Sequence, residues 1–293
     1  MRRIAIAVAM TVATATLAVA AHPLSSAAQT RRAETGMQTL AYGTDRLQQL
    51  DYWAGASRNA PLVIFVHGGG WQRGDKRMML GSAKLRHWQA AGYAVASLNY
   101  RLVPDATVEQ QAADVASAVA YLKANAGGLG FDARRIALVG HSAGAHLVAL
   151  AGTDPTYFRA AGLAMNDVAG IVPLDGAGYN VPDQMGENER LMGNTYRQAF
   201  GTDPVRQRAL SPTLHAAAPN APAFLILHVQ REDARRQSEE LAAALRRAGT
   251  DANVQGFAGR GLRGHAQINR RLGEPDYPAT PVVDAFLTRI FAR

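Results

Sequence analysis

The sequence predicts an α/β protein, a mostly parallel central sheet with helices on both faces. Two observations carry this reading. Short, uniformly apolar runs such as Leu62-Val63-Ile64-Phe65-Val66 suit strands buried on both faces. Segments with helical spacing alternate with those runs along most of the chain, which implies right-handed crossovers between parallel strands. At 293 residues, with 48% apolar and 18% charged residues, the chain has the composition of an ordinary globule and enough length for one large core.

The N-terminal stretch "MRRIAIAVAMTVATATLAVAAHPLSSAAQT" comes first. Two arginines, an apolar segment from Ile4 to Ala21, a break at Pro23 and small residues before Gln29 have the order of a secretory signal. Residues 1–28 are therefore expected to direct export, to the periplasm or outside the cell, with cleavage after Ala28 or after Ala20. Its many alanines and threonines make a weak spanning helix, so no stable membrane insertion is expected once it is removed. Residues 29–293 are expected to form one domain.

Two early strands are expected in "MQTLAYG" and "LQQLDYWAG", then the strand after Pro61, then "YAVASLNY" from Tyr93. Ala112, Val115, Val119 and Leu122 recur at helical spacing until Gly127-Gly128. Ile136 to Val139 is a buried strand, and a helix begins at Ser142. "AGIVPLD" and "AFLILHV" read as strands, "SEELAAALRRAG" as a helix, "ANVQGFAG" as a strand and "VVDAFLTRIF" as the closing helix. Nearly fifty residues, 176–221, interrupt the rhythm, and a stretch that long is expected to form a lid or cap over a site.

Composition excludes several chemistries. There is no cysteine, which removes disulfides, thiolate metal sites and a cysteine nucleophile. The formal net charge is +8, and losing Arg2 and Arg3 with the signal leaves +6. That charge is scattered, with both signs mixed in "RRQSEELAAALRR", and forms no basic stripe with interleaved aromatics, so no nucleic acid is expected as partner. Nothing in the sequence specifies an oligomeric state.

The chemistry gathers around "LVGHSAGAHLV". Ser142 lies in Gly140-His141-Ser142-Ala143-Gly144, between a strand and a helix, at the carboxyl end of a strand where open parallel sheets bind ligands. The glycines allow a sharp turn that exposes the serine oxygen at the positive end of a helix. A rarer signal is His67-Gly68-Gly69-Gly70-Trp71, directly after a buried strand and 75 residues before Ser142. Such a loop can aim backbone N–H groups at a developing oxyanion. A phosphate cradle is the rival for a glycine loop, but the Gly-Lys-Ser/Thr ending is missing.

These two motifs resemble those of the α/β-hydrolases, and within them the hormone-sensitive-lipase-like carboxylesterases that carry a His-Gly-Gly-Gly-Trp loop. The resemblance runs from about Leu40 to Ile290 and includes "NYRLVPDA" and "GFDARRIALVGHSAGAHLVAL". It implies Ser142 as nucleophile, an oxyanion hole of the Gly69, Gly70 and Ala143 N–H groups, a triad in the order serine, acid, histidine, and no metal or other cofactor.

Position also argues for the histidine. It must follow the last strand, and only His265, in the loop "GRGLRGHAQINRRLG", does so. His67 is expected to prop the glycine loop, His141 and His146 to pack beside the elbow. For the acid, "HVQREDARRQSEEL" lacks the family's usual glycine, valine and proline. Glu232 keeps one expected spacing from His228, and Asp233 keeps the approach to Gln237-Ser238; Asp233 is favoured. Trp71 and Tyr179 are candidates for the pocket wall, with core packing as the alternative for each. Arg101 and Asp114 read as a structural pair.

The expected function is hydrolysis of a small-molecule carboxylic ester through an acyl-enzyme. Relatives with this loop include arylformamidases and enzymes that remove acetyl or feruloyl groups from polysaccharides, and fold resemblance does not choose among them. A hydrolase-shaped binding protein without turnover is the alternative of a different class.

Overall fold

The computed structural model describes residues 36–187, 192–217 and 219–292. The expected signal segment lies outside them. Strands are numbered in chain order and helices in the order of their introduction.

The sheet has eight strands: β1 (Met37–Ala41), β2 (Gln49–Trp53), β3 (Ala60–Val66), β4 (Ala94–Leu98), β5 (Phe131–His141), β6 (Gly170–Leu174), β7 (Ala223–Gln230) and β8 (Asp251–Arg260). Their order in space is β1-β2-β4-β3-β5-β6-β7-β8. β1 and β2 run antiparallel and start the sheet, and every pair from β4 onward is parallel. Parallel neighbours need crossover helices, and those helices cover both faces.

The apolar runs sort accordingly. Leu62, Ile64 and Val66 of β3, with Ile136 and Leu138 of β5, face one core. Val63, Phe65, Ala137 and Val139 face the other. The first face is covered by α1 (Val108–Ala124), α2 (Ala143–Thr153) and α3 (Glu232–Arg247). The second carries α4 (Ala83–Ala90), α5 (Gly261–Arg271) and α6 (Ala279–Phe291). α1 starts with a reciprocal cap in which Thr107 accepts from Gln110 N–H and the Gln110 side chain accepts from Thr107 N–H. Of these, α4 and α5 were not expected from the sequence, since neither carries a long apolar stripe. The Arg101 guanidinium reaches Asp114 Oδ1 at 2.7 Å, and Asp114 is buried, as expected of a structural pair.

The long interruption between β6 and β7 contains short helices, α7 (Val181–Glu187), α8 (Gly193–Phe200), α9 (Pro204–Ala209) and α10 (Pro212–His215). It is fastened to the core. Phe200 is fully buried with its ring centroid 4.7 Å from that of Trp71, and His146 Nε2 donates to the Leu210 carbonyl at 2.8 Å. Among the described residues no helix is long and apolar enough to cross a membrane.

Candidate active site

β5 ends at His141 and α2 begins at Ala143, so the whole reversal falls on Ser142. Its backbone sits at φ 56° and ψ −119°, a strained geometry for a residue with a side chain. Two main-chain bonds hold it there: Ser142 N–H donates to the Leu174 carbonyl, and His146 N–H donates to the Ser142 carbonyl, both at 3.1 Å. The turn also demands close approach to β3. A Cβ on Gly144 would lie 2.2 Å from the Val66 carbonyl oxygen, so no other residue fits.

The glycine loop leaves β3 on the neighbouring strand. Gly69 has φ 131°, and a Cβ there would meet the Arg73 carbonyl at 2.0 Å. Trp71 follows with φ 62°, and its carbonyl accepts from Gln111 Nε2 at 2.8 Å and Val103 N–H at 3.0 Å. His67 braces the base of the loop: its Nδ1 donates to the Gly68 carbonyl at 2.8 Å, and its ring stacks on Tyr100 with centroids 4.4 Å apart. Gly69 and Gly70 line the same cavity as Ser142, and Ala143 is the first residue of α2, where helical N–H groups have no partner within the helix.

His265 follows β8 as expected, but on helix α5 rather than on a loop. It lines the cavity with Ser142. Among the described residues no hydrogen bond joins the two side chains, a common state before a substrate is bound. His141 supports the imidazole from behind: its Nε2 donates to the His265 carbonyl at 2.9 Å, and the two rings lie 4.5 Å apart. Burial, and next the neighbouring His265, lower the pKa of His141 to about 3, so it is neutral.

The acid is a correction. His265 Nδ1 lies 2.6 Å from Oδ2 of Asp175, not against Asp233 or Glu232. Asp175 stands just past β6, fully buried, with φ 44°. Its Oδ1 accepts from Val229 N–H at 3.0 Å, and its own N–H donates to the Leu227 carbonyl at 2.7 Å. Burial pushes its carboxyl upward, but the hydrogen bond from His265 and the charge of Arg231 outweigh that, and Asp175 titrates below the ordinary carboxylate range. Asp233 instead receives Arg231 Nη2 at 3.2 Å, and Glu232 is exposed and paired with Arg235. The difference arises because β7 continues through Gln230 and α3 opens at Glu232, which leaves Arg231 between the two aspartates. One signal for Asp175 was present in the sequence: an acid closing the apolar run "IVPLD", on the strand beside the elbow strand.

Arg231 Nη1 lies 3.1 Å from Asp175 Oδ2 and 2.9 Å from His265 Nδ1. Nδ1 can donate to the carboxylate or accept from the guanidinium, not both. Donation to Asp175 leaves Nε2 with a free lone pair, the form a proton acceptor needs.

Tyr179 is also corrected. It is fully buried and lines neither cavity that Ser142 lines; its ring fills the space beside Gly176, where a Cβ would meet it at 2.3 Å. Trp71 does both jobs considered for it. It is buried among Phe200, Tyr196 and His146, and it forms a wall of a small cavity of about 230 Å³ with Ala177, Met192, Tyr196 and Leu262. A second cavity of about 920 Å³ opens on the glycine-loop side, and Ser142 and His265 border both. Among the described residues, no group of three or more His, Asp or Glu side chains could hold a metal ion.

Trp71, Ser142 and Asp175 are the non-glycine residues with left-handed φ among the described residues. They follow β3, β5 and β6, which are adjacent in the sheet. Backbone strain is thus concentrated at the carboxyl ends of three neighbouring strands, as at functional sites elsewhere.

The BD-FAE family model matches residues 50–245. Esterase LipC of Mycobacterium tuberculosis is 33% identical over 202 residues, which cover 65% of this chain and 50% of LipC. Esterase LipQ of the same organism is 30% identical over 233 residues, which cover 75% of this chain and 55% of LipQ. The chain spans about half the length of these curated relatives. Among solved structures, esterase B from Lactobacillus rhamnosis superposes with a TM-score of 0.69 at 20% identity, covering 91% of this chain and 90% of that one. A truncated carbohydrate esterase from gut microbiota gives 0.70 at 20% identity, covering 87% and 97%. At such identities the structural likeness is one of fold.

Proposed function

The chain belongs to the BD-FAE family and has the α/β-hydrolase fold, and from that premise we propose that it is a carboxylic ester hydrolase working through a Ser142–His265–Asp175 triad. The observation that carries this reading is the pairing of His265 Nδ1 with buried Asp175 while His265 borders a cavity with Ser142.

In this mechanism His265 Nε2 takes the proton from Ser142 as its oxygen attacks the ester carbonyl. The negative oxygen that develops is received by N–H groups of Gly69, Gly70 and Ala143. His265 then returns the proton to the departing alcohol, and an acyl group remains on Ser142. Water, activated by the same imidazole, releases the acid. Asp175 stays ionised and stabilises the imidazolium formed at each step.

The esterase relatives support ester substrates for this chain too. The composition of residues 1–28 supports an exported enzyme, which N-terminal sequencing of the protein from a cell's periplasm or medium tests. A fluorophosphonate probe tests the centre itself. Labelling of Ser142 in the wild type, absent in Ser142→Ala together with p-nitrophenyl acetate hydrolysis, is the expected result; a wild type that folds but neither labels nor turns over esters refutes it.

A further inference from the structure

The larger cavity carries charge that the triad does not use. Among the described residues that line it, Arg73, Lys84, Arg86 and Arg270 are cationic and Glu274 alone is anionic. Glu274 is already paired, its Oε2 accepting from Arg271 Nε at 2.5 Å. The cavity therefore presents a surplus of positive charge beside Ser142.

Lys84 differs from the three arginines. It lies on α4 at 3% exposure, with its ammonium 4.9 Å above the Phe65 ring. No carboxylate or carbonyl receives that ammonium among the described residues. A buried ammonium without an anionic partner is costly, and here burial pushes its pKa down to about 8. Its charge also opposes protonation of His141, which holds the main chain of His265. Lys84 thus lines the cavity beside Ser142 with its positive charge unneutralised by the protein, and a desolvated cation is normally met by an anion.

We propose that the ester substrate carries a carboxylate in the part that fills this cavity, and that Lys84 is its counter-ion, with Arg86 and Arg270 adding attraction at the rim. One buried cation matches one negative charge, which favours a carboxylate over a phosphate dianion. The other half of the ester then occupies the small cavity walled by Trp71 and Tyr196, which holds only a short or flat group. The inference rests on Ser142 and His265 being the hydrolytic centre.

Two matched pairs of esters test it. In one the charge is on the acyl side, p-nitrophenyl glutarate against p-nitrophenyl glutaramate. In the other it is on the alcohol side, the acetate of p-hydroxybenzoate against that of p-hydroxybenzamide. In one pair the carboxylate form is expected to have a kcat/KM about tenfold or more above its amide, mainly through KM, as a charged hydrogen bond provides. That ratio is expected to fall toward one in Lys84→Met, which keeps a long unbranched side chain without the charge, and in Lys84→Gln, with folding of both checked by circular dichroism. If both pairs are hydrolysed at ratios of one or below, or if the ratio survives both substitutions, the inference is overturned and the hydrolase reading stands. If none of the four esters is turned over and Ser142 is not labelled by the fluorophosphonate, both fall.

Discussion

His265 Nδ1 and Asp175 Oδ2 lie 2.6 Å apart across 90 residues of chain. The contact joins a helix that follows β8 to the end of β6, passing over β7, which lies between them in the sheet. It sets which carboxylate orients the imidazole, and most expected behaviour of the site depends on it.

Asp175→Asn preserves shape but can donate to Nδ1 and so favours the wrong tautomer. It is expected to lower kcat by about 10³- to 10⁴-fold, as amide replacement of a triad acid does. Asp233→Asn is expected to cost about tenfold or less, because Asp175 pairs with the imidazole while Asp233 pairs with Arg231. Steady-state kinetics on p-nitrophenyl acetate decide, and equal losses in the two variants contradict the assignment.

Arg231→Gln removes a cation that helps hold Asp175 below the ordinary carboxylate range. The Asp175 pKa is then expected to rise, so a larger fraction is protonated on the acid side. Activity, which needs the carboxylate, is expected to fall at a higher pH in the variant than in the wild type. A pH–rate profile of kcat/KM whose acid limb does not move, or moves downward, argues against this electrostatic role.

Stability is expected to drop as pH falls from about 6.5. Burial lowers the pKa of His146 to about 4 and that of His141 to about 3. The unfolded chain therefore binds protons that the folded one refuses, so the stabilisation is complete above the unfolded pKa and is lost as pH falls toward the folded values. Each buried histidine contributes a slope of up to about 1.4 kcal/mol per pH unit in that window. Urea midpoints between pH 7 and pH 4 measure it, and His146→Asn is expected to flatten the curve.

Gly144→Ala is expected to destabilise the fold by about 3 kcal/mol or more, since the new methyl meets main chain, which cannot step aside as a side chain can. Thermal unfolding monitored by circular dichroism reads this directly; a melting temperature equal to that of the wild type refutes the close packing of the elbow on β3.

The sequence by itself determined the layered α/β architecture, the strand positions, the elbow at Ser142 and the glycine loop. Each of these is local: an apolar run, a helical period or a required glycine is complete within a few neighbouring residues. His265 was legible as well, because only one histidine follows the last strand. Its helix was not, since "LRGHAQINRR" has too few apolar residues to reveal a buried face before the sheet supplies one. The choice between Asp175 and Asp233 belonged to the tertiary structure. Both aspartates follow strands, and the outcome depended on a left-handed backbone at 175, on where β7 ended and on the guanidinium of Arg231 standing between the two carboxylates. The same holds for Lys84, an ordinary lysine in the sequence, whose burial in the wall of a cavity, without a carboxylate contact among the described residues, exists only once α4 and α5 pack on the sheet. Interactions between distant segments are set by how the elements pack, and no short window of sequence contains that information.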